Sequence, residues 1–268
     1  MLFSSPFSPS LGIGRFDSKF NGDAQSRAAL TLSQVSRRWR TIAKSTHELW
    51  SVFSASISRN ERSRPLEWGP EWLKRSGNSP LYIELRFLLA HHQAETSLAE
   101  KLVDQLCLHA ARWKVIRLNV AYKCIPWFSS ALAEKKLTIL DDIHVSFTRS
   151  RSGKPSLEID ASPKSITTEL HANNILVDWT NLCHCAASSS GGRMSRRDFI
   201  KLLARSHNIL SCSFEGDVPS PSRRSVSMIN HSSLHTLKIS LFPSNLWDTI
   251  TLPSLKIMHL HPYRDSLS

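Results

Sequence analysis

The residues best suited to chemistry in this sequence stand together at Cys183-His184-Cys185. Thiolate and imidazole are ligands that zinc favours, but zinc takes four of them, usually from separated pairs such as C-x-x-C. In an extended segment the two thiols face one way and the imidazole the other. Cys107, Cys124, Cys212 and His171 would have to converge on the triplet from distant parts of the chain. The triplet therefore reads as core or turn residues, and no metal is expected. Asp141-Asp142 precede an apolar alternation at Ile143 and read as turn or cap residues, not as an acid–base pair. Gly191-Gly192 sit in ASSSGGRMSRR without the lysine and spacing of a phosphate loop, so they read as a linker. His91-His92 fall in a polar loop. The sequence contains neither a G-x-S-x-G elbow nor an H-E-x-x-H pair. No catalysis and no cofactor are expected, and binding is the remaining class of function.

Charge and composition limit what is bound. The formal charge of +12 over 268 residues suits nucleic acid, an anionic surface or an acidic partner. The cations are nevertheless dispersed, in clusters at Arg37–Lys44, Arg59–Arg64, Arg149–Lys154, Arg193–Lys201 and Arg223-Arg224, each beside a Ser-rich or turn-rich piece. The scattered tryptophans read as core, not as a base-stacking platform. Nucleic-acid binding is thus a rival reading and not the leading one. No apolar run is long enough to span a bilayer. The opening MLFSSPFSPSLGIGRF has no basic leader or cleavage site, and five cysteines form no regular framework. A cytoplasmic or nuclear protein with reduced thiols is expected.

The element that must position a binding surface is LTLSQVSRRWRTIAKSTHELW, Leu30 to Trp50. Leu32, Val35, Trp39 and Ile42 follow helical spacing, which predicts one amphipathic helix started by Asp23 or Ser26. Arg37, Arg38, Arg40 and Lys44 then fall in its second half, where cations suit the dipole. Ser45-Thr46 make a turn, and Leu49-Trp50 anchor the piece. VFSASI alternates as a short strand, and WGPEWLKRSG reads as a helix closed by Gly77.

From Pro80 a motif recurs, in which a short alternating strand is followed by a longer return. The strands are expected at Leu81-Ile83-Leu85, Ile116-Leu118-Val120, Ile143-Val145-Phe147, Leu170-Ala172, Cys212-Phe214, Leu237-Ile239-Leu241 and Met258-Leu260. The anchors Leu85, Leu118, Val145, Ala172, Phe214, Ile239 and Leu260 stand 33, 27, 27, 42, 25 and 21 residues apart, mostly near a leucine-rich-repeat period. An apolar residue three positions ahead recurs at Trp113, Leu140, Ile209, Leu234 and Leu255. Helices are expected over ETSLAEKLVDQLCLHAARW, IPWFSSALAEKKL and RRDFIKLLARSHN. The expected fold is α/β, a helical segment followed by one irregular solenoid with its strands in chain order.

Val35, the run Arg37-Arg38-Trp39-Arg40, Ile42-Ala43, Thr46 and Leu49-Trp50 resemble the last half of an F-box. The closest likeness is to the F-box proteins of mushroom-type fungi. WLKRSGNSPLYIEL, LCLHAARWKVIRLNV, LLARSHNILSCSF and LTLPSLKIMHL resemble stretches of their repeat region in the same order. The resemblance implies an adaptor that docks on the small subunit of a cullin-RING ubiquitin ligase and holds a protein substrate on its repeats. It implies adaptor contacts from Leu32, Val35, Arg38, Trp39, Ile42, Leu49 and Trp50. Trp39 has two readings, the core anchor of a helical hairpin, which we favour, or part of the partner-facing surface. Residues 1–22 are expected to be disordered, 23–60 to hold the partial F-box-like motif, and 61–268 to form the repeat region, ending without a polar cap as if truncated. The Leu-Pro start and first apolar helix of a complete F-box are missing from 1–22, so weak adaptor binding is expected of the chain as it stands. A repeat-type interaction module without ligase association is the first alternative.

Overall fold

The computed structural model describes residues 22–57, 64–87, 93–148, 156–168, 175–187, 196–215, 228–240 and 247–261. The chain begins with α1 (Gly22–Val35) and α2 (Arg37–Ser45), followed by a 3-10 turn at His47–Trp50. It then alternates strands and returns. In order these are β1 (Val52–Ile57), α3 (Arg64–Arg75), β2 (Leu81–Phe87), α4 (Gln93–Cys107), β3 (Trp113–Ala121), α5 (Ile125–Leu132) and β4 (Asp142–Thr148). Next come β5 (Leu157–Glu158), β6 (Ser165–Thr168), β7 (Ile175–Leu176), β8 (His184–Ala187), α6 (Arg196–Arg205) and β9 (Ser211–Glu215). The last are β10 (Ile229–Asn230), β11 (Thr236–Ser240), β12 (Ile250–Thr251) and β13 (Ile257–His261).

Nine strands form one sheet in the order β1-β2-β3-β4-β6-β8-β9-β11-β13, which is their order in the chain. Every neighbouring pair is parallel. A parallel partner requires the chain to travel back before each new strand, and the returns do this. Four returns carry α3, α4, α5 and α6. The other four carry β5, β7, β10 and β12, which pair as two small parallel sheets, β5 with β7 and β10 with β12. Among the described residues the fold is thus mixed α/β with a parallel sheet and six α-helices.

Alternation within the strands sets the core. Ala55, Leu85, Leu118, Val145, Thr168, Ala187, Phe214, Ile239 and Leu260 are successive partners across the sheet. The first six of them and Ile239 are buried, while Leu260 on the last strand is exposed. Leu140, Ile209 and Leu234, three positions ahead of core strand residues, are buried just before their strands, Trp113 is buried as the first residue of β3, and Leu255 packs against the same core. Leu102, Leu106 and Ala110 of the α4 region are buried as their spacing requires, with the helix itself ending at Cys107. Pro126 sits in the first turn of α5, where its missing N–H costs no intrahelical bond.

The sheet corrects the expected repeat at one place. Leu170-Ala172 lies outside the described residues. The rungs between Val145 and Phe214 are Thr168 and Ala187, so the interval between those two anchors contains two strands of the sheet where one was expected. Their sequences, SITT and HCAA, carry small side chains, so a pattern built on large aliphatics passes over them. The expectation of disorder for 1–22 falls almost wholly outside the described residues, only Gly22 being included as the start of α1.

Candidate functional site

The Leu30–Trp50 piece is two helices, not one. Asp23 and Ser26 lie inside α1 and do not start it. The break is at Ser36, whose extended backbone (φ −158°, ψ 170°) ends α1 and caps α2. The Ser36 hydroxyl accepts a hydrogen bond from the Trp39 backbone N–H at 3.2 Å. An N-terminal serine of this kind satisfies an amide that has no partner in the helix. Arg40 Nε donates to the Ser33 carbonyl at 2.9 Å and stitches the two helices across the break. The cations therefore sit differently from the single-helix expectation. Arg37 and Arg38 open α2, where the helix dipole disfavours them, and only Lys44 is in its last turn.

Trp50 is fully buried and fastens the pair of helices to the sheet. Its indole N–H donates to the Ala43 carbonyl at 2.6 Å. Trp72 meets it edge-on, with ring centroids 4.7 Å apart, and the Arg75 guanidinium lies 4.7 Å above its ring. Trp72 in turn donates to the Val52 carbonyl at 3.0 Å, and Trp68 links Trp72 to Phe53. This cluster is built where α2, α3 and β1 meet, and it removes Trp50 from the expected contact set: a side chain with no exposed surface cannot touch a partner.

Trp39 is corrected in the opposite direction. It is 46% exposed, with Val35 at 63% and Ile42 at 45%, so it is not a core anchor. The break at Ser36 explains this. A continuous helix would place Leu32, Val35, Trp39 and Ile42 on one inward stripe, whereas here, among the described side chains, Ala29 and Ala43 are the buried residues of α1 and α2. Leu32 and Leu49 are half-buried, the latter against the core, and Arg38 is exposed. The seven expected contact residues are thus divided. Val35, Arg38, Trp39 and Ile42 face outward, Leu32 and Leu49 are partly accessible, and Trp50 is interior. Arg37, Arg40 and Lys44 are exposed on the same short helix.

A second surface was not among the expected sites. Alternate strand residues on the face away from the core form a row running Ser54, Glu84, Arg117, His144, Thr167, Ala186, Ser213, Lys238 and His259. Ser54 and Glu84 are buried, the next six residues half-buried and His259 exposed. The residues between the apolar anchors carried this signal in the sequence. Side chains are larger and charged on β2 to β4, where Arg86 pairs with Glu84, and small on β6 to β9. The row can hold hydrogen-bonding and charged groups along its length.

The cysteine triplet is divided by the start of β8. Cys183 precedes the strand and is half-buried, with its thiol donating to the Asn181 carbonyl at 3.4 Å. Cys185 is buried beside Cys212, its register partner on β9. A hydrogen bond with Cys185, together with burial, holds the Cys212 thiol well above its ordinary range. Among the described residues no three His, Cys, Asp or Glu side chains gather as a metal site. Asp141 pairs with Lys164 at 2.9 Å on the way into β4, and Asp142 is the first residue of that strand. Among the described residues no helix is long and apolar enough to cross a membrane. No family model matches this sequence, and no curated protein or solved structure is significantly similar to it.

Proposed function

We propose that the chain is an F-box-like substrate receptor, in which the α1–α2 surface meets the small adaptor subunit of a cullin-RING ubiquitin ligase and the sheet region holds a protein substrate. The observation that carries this reading is the outward apolar surface of Val35, Trp39 and Ile42. Tryptophan is a residue type that anchors protein interfaces, and Trp39 and Ile42 stand on a helix whose opening arginines give up dipole stabilisation, with Val35 at the end of the helix before it. Helix stability supplies no reason for Arg37 and Arg38 there; a partner with acidic groups around an apolar centre does. Trp50 gives the surface a rigid base. On the same reading the sheet region is an irregular leucine-rich-repeat-like solenoid. Its parallel strands in chain order and its buried residues three positions ahead of the strand cores support that description. The polar row across the strands is then the surface offered to the substrate.

The experiment is co-purification with the ligase adaptor subunit. Three forms are compared: the full chain, the chain with an F-box first helix placed ahead of Gly22, and that extended chain carrying Trp39→Ala. The full chain binds weakly, the added helix strengthens binding, and Trp39→Ala removes it without lowering the melting temperature. Absence of binding by the extended chain overturns the adaptor assignment and leaves an interaction module without ligase association.

A further inference from the structure

On the helical side of the sheet, the small strands β5 and β7 occupy the interval between α5 and α6, and a groove of about 450 Å³ opens there. Its floor is apolar. Ile159 and Trp179 are buried at its base, and Leu176 is 42% exposed beside them. Glu158, Asp160 and Asp178 line it with exposed carboxylates, and among the described lining residues Arg205 is the cation. Leu132 and Ala133 bring the C-terminal end of α5 to the same place. That helix end has no basic residue in its last turn, but Lys135 and Lys136 stand exposed just beyond it, and Lys136 is bridged to Asp160 through the backbone. Asp178 is already fixed, accepting from the Ser162 hydroxyl and from the Thr180 amide at 3.0 Å. In a chain of net charge +12, a half-apolar groove with excess carboxylates runs against the overall balance.

We propose that this groove is a docking site for a basic segment of a partner protein, with an arginine or lysine among Glu158, Asp160 and Asp178 and an adjacent aliphatic side chain on Leu176. Charge complementarity selects the cation and the apolar floor selects its neighbour. An indole at the base adds attraction for a guanidinium group that reaches its face. This site lies on the opposite side of the sheet from the polar row and does not rest on the adaptor reading.

The test is fluorescence anisotropy of the full chain with a labelled peptide, acetyl-Ala-Leu-Arg-Ala-Leu-Arg-Ala-amide. The matched peptide has citrulline at both arginines, which keeps shape and removes charge. Saturable binding is expected for the arginine peptide, weakened roughly tenfold or more by citrulline or by the exposed pair Glu158→Gln/Asp160→Asn, as loss of charge-assisted hydrogen bonds requires. Leu176→Ser weakens both peptides. Unchanged melting temperatures establish that the variants are folded. Equal affinity for the two peptides, no effect of the double substitution, or no saturable binding at millimolar peptide overturns the proposal. Self-association of the chain that the double substitution abolishes assigns the groove to a second copy, and overturns it equally.

Discussion

The indole of Trp50 donates to the carbonyl oxygen of Ala43 at 2.6 Å, and through that bond α2 is held against the first strand of the sheet. Ala43 is the buried residue of α2, and its carbonyl belongs to the last turn, where helix carbonyls lack intrahelical partners. Trp50 therefore satisfies a helix end and fills the space under Trp72 and Arg75 at once. The arrangement leaves Trp39, four residues before Ala43, on the outside.

Two tryptophans eleven positions apart should consequently behave differently when removed. Trp50→Ala is expected to destabilise the chain by about 3–5 kcal/mol, the cost of emptying a buried indole site. Trp39→Ala should change stability by about 0.5 kcal/mol or less, as surface substitutions do. Urea unfolding of both variants measures the contrast. Similar losses in the two would mean that Trp39 is interior after all.

Much of this architecture was legible because strand periodicity and the residue three positions ahead act locally. Trp113, Leu140, Ile209 and Leu234 are apolar in sequence and buried in the fold, Trp113 as the first residue of β3 and the others on the approach to their strands. The rungs at Thr168 and Ala187 were hidden because small side chains suffice where β6 and β8 lie between neighbours. The break at Ser36 was hidden by competition. Spacing of Leu32, Val35, Trp39 and Ile42 favours one helix, while a serine hydroxyl capping Trp39 favours two, and the cap prevails. The groove could not be read at all, because Leu132, Ile159, Trp179 and Arg205 come from separate returns and meet only through the order of the strands.

Gly77 closes α3 as its sequence position predicts, at φ +52°, a region that residues with a side chain rarely adopt. A Cβ there would also stand 3.0 Å from the His47 ring, whose Nδ1–H donates to the Arg75 carbonyl at 2.7 Å. Gly77→Ala is expected to cost about 1–2 kcal/mol from left-handed backbone strain alone, with further loss from the contact. Adding His47→Ala should recover only the part due to the contact. Full recovery in the double variant, measured by urea unfolding, would assign the whole effect to crowding and none to the backbone.

The cysteines should separate by reactivity. Burial pushes the Cys107 and Cys124 thiols up to about 12, and Cys212 is raised by its bond to Cys185 and by burial. A thiol with that value is ionised in only about one molecule in ten thousand near pH 8, and the thiolate is the nucleophile. Iodoacetamide on the folded chain should therefore label Cys183, the half-buried member, ahead of the other four. Peptide mapping by mass spectrometry reads the order, and denaturant should abolish it. Early labelling of Cys212 would contradict the burial of the β8–β9 pair.

Asp142 provides a stability test with a definite sign. Burial at the start of β4 raises its carboxyl above the ordinary value of 3.8, against the Ser165 hydrogen bond and the charges of Arg117 and His144, which lower it. A carboxyl raised in the folded state binds its proton more tightly there than in the unfolded chain. Its unfavourable contribution is therefore absent when both states are protonated, below pH 3.8, and grows as pH rises until the folded-state carboxyl has ionised. Asp142→Asn keeps the shape and an acceptor for the Ser165 hydroxyl while removing the charge. The variant should match the parent at acid pH and exceed it in unfolding midpoint at neutral pH, with the difference constant once the folded carboxyl is fully ionised. A variant less stable than the parent at neutral pH would mean that Ser165, Arg117 and His144 stabilise the carboxylate by more than burial penalises it, and that the start of β4 is organised around a negative charge.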